Sequence, residues 1–140
     1  MERPTQTFSA GGVVLNEQGQ ILVVNQQHDS WSLPKGHIDS EETLIDAAKR
    51  EIYEESGLRD LHYVRELGTY QRFKIGKGGV GEDQTERKTI TIFLFRTQEH
   101  HLAPVDPENP EARWVDREEV AELLTHPKDQ EFFLKIKDTV

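Results

Sequence analysis

Glu51, Glu54 and Glu55 stand close together in the chain, with Arg50 directly before the first of them. At about 100° of rotation per helical residue, the three side chains fall within an arc of roughly 100° on one helix side. Like charges at such spacings are unfavourable by about 0.2 to 0.5 kcal/mol per pair on an exposed helix, and by more where water is partly excluded. Arg50 can pair with Glu54 one turn on, but a single guanidinium does not satisfy three carboxylates that border an apolar stripe. A divalent cation would. All-oxygen ligation selects hard ions, and a few carboxylates with room for water and phosphate oxygens are the usual setting for Mg²⁺. Taken alone, the cluster also fits an acidic, solvated helix face with ordinary surface ion pairs.

The element that must present these carboxylates is a helix over roughly Glu41 to Glu55. Asp39 and Ser40 are its candidate caps, Asp39 with Glu42 reads as a capping box, and Gly57 suits the residue after the last turn. Leu44, Ile45, Ala48 and Ile52 form the apolar stripe that would hold it against a core. Ahead of it, Thr7 to Leu15 and Gln20 to Asn25 are β-branched, apolar runs whose separator, Asn16-Glu17-Gln18-Gly19, predicts a hairpin. Trp31 to Gly36 is a short extended piece, with Pro34 biasing Leu33 away from helix.

Downstream, Leu61 to Phe73 and Lys88 to Phe95 are β-prone. Between them Lys74 to Glu86, with Gly76, Gly78, Gly79 and Gly81, predicts an irregular, mobile loop. Glu111 to Val115 is a short strand and Glu118 to Thr125 an amphipathic helix. Asp129 to Lys137 is a last helix, with Asp129 as its cap.

Spacing adds to the cluster. Gly36 is followed by Glu42, and then by Arg50, Glu51, Ile52, Glu54, Glu55, Gly57 and Leu58. This run resembles the Nudix box, G-x5-E-x7-R-E-U-x-E-E-x-G-U with U a bulky aliphatic residue, and every fixed position is matched. The flanking strands and helices follow that family's order as well. The resemblance implies the α+β Nudix fold, a mixed β-sheet sandwiched between helices with the box as a loop-helix-loop, over residues 1–140 as one domain. It also implies a Mg²⁺-dependent hydrolase, with Mn²⁺ as a substitute metal, that cuts a phosphoanhydride bond in a nucleoside diphosphate linked to another group.

On that resemblance Glu51 and Glu55 are ligands of the catalytic metal, Glu54 is a ligand or water-orienting group, and the Gly36 carbonyl is a further ligand. Arg50 orients the carboxylates. The general base stays open among Glu54, Glu55 and Glu111. Glu42 is read as a cap or loop brace. Lys35, His37 and Lys88 are the phosphate-side candidates, set against a solvated lysine and a loop-closing histidine. Tyr70 and Phe73 could stack on a base, although aromatic strand residues are more often core. Lys74 and Lys77 could cover the polyphosphate, but no helix N-terminus follows the glycines, which favours a flexible hairpin connection. His100 and His101 lack metal-binding spacing and belong on the surface.

The net charge of -9 and pI near 5.1 argue against a non-specific nucleic-acid binder, which needs surplus cations to neutralise phosphates. The absence of cysteine excludes disulfides and thiolate metal sites. No apolar run approaches the roughly 20 residues of a membrane span, and Met1-Glu2-Arg3-Pro4 lacks the apolar stretch of a signal peptide. The expectation is a soluble, cytoplasmic monomer or homodimer acting on a small nucleotide polyphosphate.

The segment Trp31-Ser32-Leu33-Pro34-Lys35-Gly36-His37-Ile38, with Lys88, looks like the branch that cleaves diadenosine tetraphosphate. Rival substrates are oxidised deoxynucleoside triphosphates in the MutT manner, ADP-ribose or nucleotide sugars, and diphosphoinositol polyphosphates. A nucleotide-sensing Nudix domain without catalysis is a rival of another class, but such domains have usually lost box carboxylates that this chain retains. An acidic interaction domain would require the box to be accidental.

Overall fold

The computed structural model describes residues 3–26, 28, 30–108 and 111–140. Met1 and Glu2, half of the N-terminal tetrapeptide considered above, lie outside them. The first β-prone run finds its main partner far along the chain. Strand β1 (Thr5–Leu15) pairs in parallel with β6 (Glu82–Arg96) from Thr5↔Glu86 to Leu15↔Arg96. The hairpin expected between β1 and β2 (Ile21–Gln26) closes through Asn16, whose Oδ1 accepts the Gln18 and Gln20 N–H groups. It opens after a single pair, Leu15↔Ile21. Beyond that pair β1 is joined by β4 (Lys35–His37), while β2 pairs with β3 (Ser30–Ser32) and β7 (Glu111–Val115). Strand β5 (His62–Ile75) lies antiparallel to β6 and completes a mixed sheet ordered β3-β2-β1-β6-β5.

Both faces of this sheet are covered, which explains why the central strands are apolar almost without alternation. On one face Ala10, Val14, Phe93 and Phe95 pack against Ala47, Ala48 and Ile52 of α1 (Leu44–Ser56). On the other, Val13, Leu15, Ile90, Ile92 and Leu94 meet Val120 of α2 (Val120–Leu123) and Phe132, Phe133 and Ile136 of α3 (Pro127–Ile136). Among the described residues no helix is long and apolar enough to cross a membrane.

Several boundaries differ from expectation for local reasons. Helix α1 begins at Leu44, not near Glu41, because Glu41 has φ 70° and cannot continue a right-handed helix. Thr43 is the cap, its hydroxyl accepting the Asp46 N–H at 3.1 Å. The Asp39–Glu42 box forms a separate turn instead, with Glu42 Oε1 accepting the Asp39 N–H at 2.8 Å. Leu44 consequently sits outside the buried stripe, 40% exposed.

The glycine-rich loop is shorter than expected. The β5 and β6 strands continue through Lys74↔Asp83 and Ile75↔Glu82, because cross-strand backbone bonds hold a segment whose side chains show no β pattern. Only the tip remains, closed by Gly76 N–H to Gly81 O and carrying a 3₁₀ turn at Lys77–Gly79. The helix expected over Glu118 to Thr125 is a 3₁₀ turn, Arg117–Glu119, running into α2. Helix α3 is capped by His126 with Pro127 in its first turn, and Asp129, the expected cap, is drawn inside the protein.

Candidate active site

Strand β4 brings the start of the box against β1, and α1 brings its end beneath the same strands. Glu51 reaches back over Gly36 so closely that a β-carbon there would overlap its carboxylate. Gly36 is thus a steric requirement for placing Glu51. Glu55 is almost wholly enclosed at 1% exposure. Its Oε1 accepts the Gln26 amide at 2.6 Å and its Oε2 accepts the Lys35 N–H at 3.0 Å. The same Gln26 amide donates to the Lys35 carbonyl at 2.9 Å, so β2 clasps β4 and α1 together.

Arg50 does more than pair with Glu54. It grips Glu42 with two bonds of 2.8 and 3.0 Å, reaches Glu51 at 2.9 Å and Glu54 at 3.3 Å, and donates to the His37 carbonyl at 2.9 Å. One guanidinium therefore touches four carboxylates, Asp39 at 3.4 Å being the fourth, but only two of the three on the helix, and Glu42 braces it from the turn before the helix. It does not serve Glu55. Burial pushes the Glu51 carboxyl above its ordinary value despite Arg50, and burial with the neighbouring Glu51 charge pushes Glu55 well above. Burial, then the nearby Arg72, lowers the Lys35 amine to about 7.

A cleft of about 210 Å³ collects these groups. Glu51 and Glu55 line it from α1, Lys35, Gly36 and His37 from β4, Arg72 and Lys74 from β5, and Lys88 from β6. His37 and Lys88 share Glu86, whose Oε2 lies 3.3 and 3.6 Å from them. Burial favours the neutral Glu86 carboxyl, but the Thr7 hydroxyl at 2.8 Å, Lys88 and His37 outweigh it and hold the group below its usual range. Burial also lowers Lys88.

Among the described residues no three His, Asp or Glu side chains converge into a ready-made metal cage. The donor set instead fits an open site for a hard cation. Two carboxylates whose pKa values burial raises face a cleft in which water and phosphate oxygens can complete the shell.

Not every sequence candidate reaches the cleft. Glu54, tied to Arg50, lies outside its lining. Glu111 is paired opposite Asn25 at the start of β7 and bonds Arg113 at 2.7 Å, also outside it. Tyr70 lies outside the cleft lining: one face of its ring stacks on Phe132 at 4.6 Å and its hydroxyl donates to Asp129 at 2.6 Å, which fits the core alternative. One face of Phe73 is covered by the Arg87 guanidinium at 5.3 Å, and Phe73 too lies outside the cleft lining. Lys74, assigned to a flexible connection, lines the cleft, whereas Lys77 does not. Gln26, Arg72, Glu86 and Asp129 were not legible as site residues. Only the alternation of Tyr70 with Arg72, and of Glu86 with Lys88, hinted that each pair shares a sheet face.

A NUDIX domain model matches residues 5–136. An RNA pyrophosphohydrolase of Pelagibacter ubique (strain HTCC1062) is 27% identical over 124 residues, covering 81% of this chain and 78% of that protein. Phosphatase NudJ of Escherichia coli (strain K12) is 30% identical over 115 residues, covering 76% of this chain and 67% of the relative. In fold, an Ap4A hydrolase of C. elegans superposes with a TM-score of 0.74 at 20% identity, over 95% of this chain and 96% of that one. Because the domain match takes in every strand and helix that lines the cleft, and the box itself, the chain belongs to the Nudix hydrolase family.

Proposed function

We propose that this protein hydrolyses dinucleoside polyphosphates with Mg²⁺, or Mn²⁺ in its place, cutting diadenosine tetraphosphate asymmetrically to ATP and AMP. The observation that carries this reading is the set of cations Lys35, Arg72, Lys74 and Lys88 lining one cleft with Glu51 and Glu55. A two-phosphate substrate has fewer anionic oxygens than these cations can use, and a longer chain engages them. Glu51 and Glu55, with Gly36, would hold the cation. Bound there, Mg²⁺ neutralises phosphate charge and makes water a better nucleophile. Of the base candidates Glu54, Glu55 and Glu111, Glu55 alone lines the cleft, so a water beside it finds its proton acceptor there. The lysines and Arg72 would run along the remaining phosphates and set the attacked phosphorus off-centre.

The test is a panel of diadenosine tetraphosphate, ADP-ribose, oxidised deoxynucleoside triphosphates, a diphosphoinositol polyphosphate and a short 5′-triphosphorylated RNA. Products are separated by chromatography in ¹⁸O-labelled water. ATP and AMP, with label on one of them, are expected, and activity should vanish in EDTA and return with Mg²⁺. Two ADP products, or a kcat/KM at least tenfold higher for another substrate, about 1.4 kcal/mol of transition-state preference, would overturn the substrate reading.

A further inference from the structure

We propose that Arg72 is a polyphosphate-binding residue of the cleft and that Asp129, delivered from α3, is the residue that positions it. This deepens the polyphosphate reading above and rests on it. Arg72 is enclosed, with its side chain 3% exposed, yet it lines the cleft beside Lys35, Lys74 and Lys88. A guanidinium held among three lysines is repelled by all of them and needs a counter-ion to stay. Asp129 supplies it, its Oδ1 lying 3.0 Å from Arg72 Nε.

The contact is one of charge and not of well-directed hydrogen bonding. Neither Arg72 Nε nor Asp129 Oδ2 has a hydrogen-bond partner, although both atoms are buried. Tyr70 donates to the same Oδ1 at 2.6 Å and so also anchors the carboxylate. The Tyr70 phenol is kept a donor because burial, then the Asp129 charge, raises its pKa well above the ordinary value. Arg72 Nη1 is anchored on the Phe73 carbonyl at 3.0 Å. A buried charged pair with unmet bonding capacity is weak as a stabilising device, since desolvation offsets its Coulomb energy. It is well suited to holding a fork of donors in place for an incoming phosphate.

The test measures the Kd of inorganic tripolyphosphate for the full chain by calorimetry in EDTA, where hydrolysis does not intervene. Arg72→Ala should weaken binding at least tenfold, with Arg72→Lys in between. Asp129→Asn keeps an acceptor for Tyr70 and removes a negative charge from an anion site. Electrostatics alone therefore predicts tighter binding, whereas positioning predicts binding weaker by fivefold or more. In the Arg72→Ala background, Asp129→Asn should weaken binding no further. Tighter binding by Asp129→Asn, an equal loss with or without Arg72, or no binding by the wild type would overturn the proposal. If Asp129→Asn fails to fold, Arg72→Lys decides, because a lysine that binds as well as the arginine removes any need for a positioned fork. Poor turnover of diadenosine tetraphosphate with Arg72-dependent tripolyphosphate binding would sink the substrate reading and leave this one standing.

Discussion

Glu55 is held by two protein donors and still faces the cleft, while burial and the Glu51 charge raise its pKa, so a bound cation would favour its ionised form. Glu55→Gln should lower kcat by ~10² to 10⁴-fold, the range for loss of a proton-transferring group. It should also abolish the rise in Tm that Mg²⁺ gives the wild type, since an ion bound only by the folded state stabilises by mass action. Steady-state kinetics and thermal melts with and without Mg²⁺ read both, and an unchanged kcat would remove Glu55 from the site. Gly36 makes a second case. Its α-hydrogen side is filled by the Glu51 carboxylate, so Gly36→Ala must push that carboxylate away. The expected outcome is a loss of ~1 to 3 kcal/mol in stability, typical of overpacking, together with a fall in kcat/KM larger than stability explains. A variant as active as wild type would show that Glu51 has no fixed position to lose.

At the scale of elements, α3 and the β5–β6 hairpin are joined through His126. Its Nδ1 accepts the Lys128 N–H as the helix cap, which leaves the ring proton on Nε2, 3.1 Å from the Phe73 carbonyl. A protonated ring loses the cap. Burial, then Arg72, lowers its pKa from 6.5 in spite of Asp129 and Glu82. The folded state therefore binds fewer protons than the unfolded state just below pH 6.5, and stability falls as pH drops through that value. Thermal melts at stepped pH should show this decline, and His126→Asn, which retains a good cap and does not titrate, should flatten it; an equally steep decline in the variant would assign it to other groups. None of this was readable in the sequence, where Asp129 looked the better cap. The box was legible because its residues are near neighbours on one helix and the preceding loop, so spacing carries the geometry. Arg72 and Asp129 lie on separate elements, and only tertiary packing brings them together. The longer β5–β6 hairpin was hidden for a different reason. Its outer pairs, Lys74 with Asp83 and Ile75 with Glu82, are mostly charged, and backbone pairing leaves no hydrophobic periodicity in such residues.

For the whole molecule, two apolar layers flank one sheet, and the cleft is lined by α1 and by strands of that sheet. Phe133, fully enclosed in the layer that α3 closes, is not among the residues that line the cleft. Phe133→Ala should cost about 3 to 5 kcal/mol by transfer and cavity terms, a large share of the roughly 5 to 15 kcal/mol of a typical domain. Denaturant titration measures it, and a loss below 1 kcal/mol would mean that α3 is dispensable to that layer. The long parallel pairing of β1 with β6 bears on something else, the order in which the protein can be made. During synthesis β1 leaves the ribosome early and its partner late, and no short turn can join them in the meantime. The box helix is complete well before the sheet that seats it, so its carboxylates spend the interval without Arg72, Lys74, Lys88 or a cleft. Catalytic competence is therefore among the last properties the growing chain acquires.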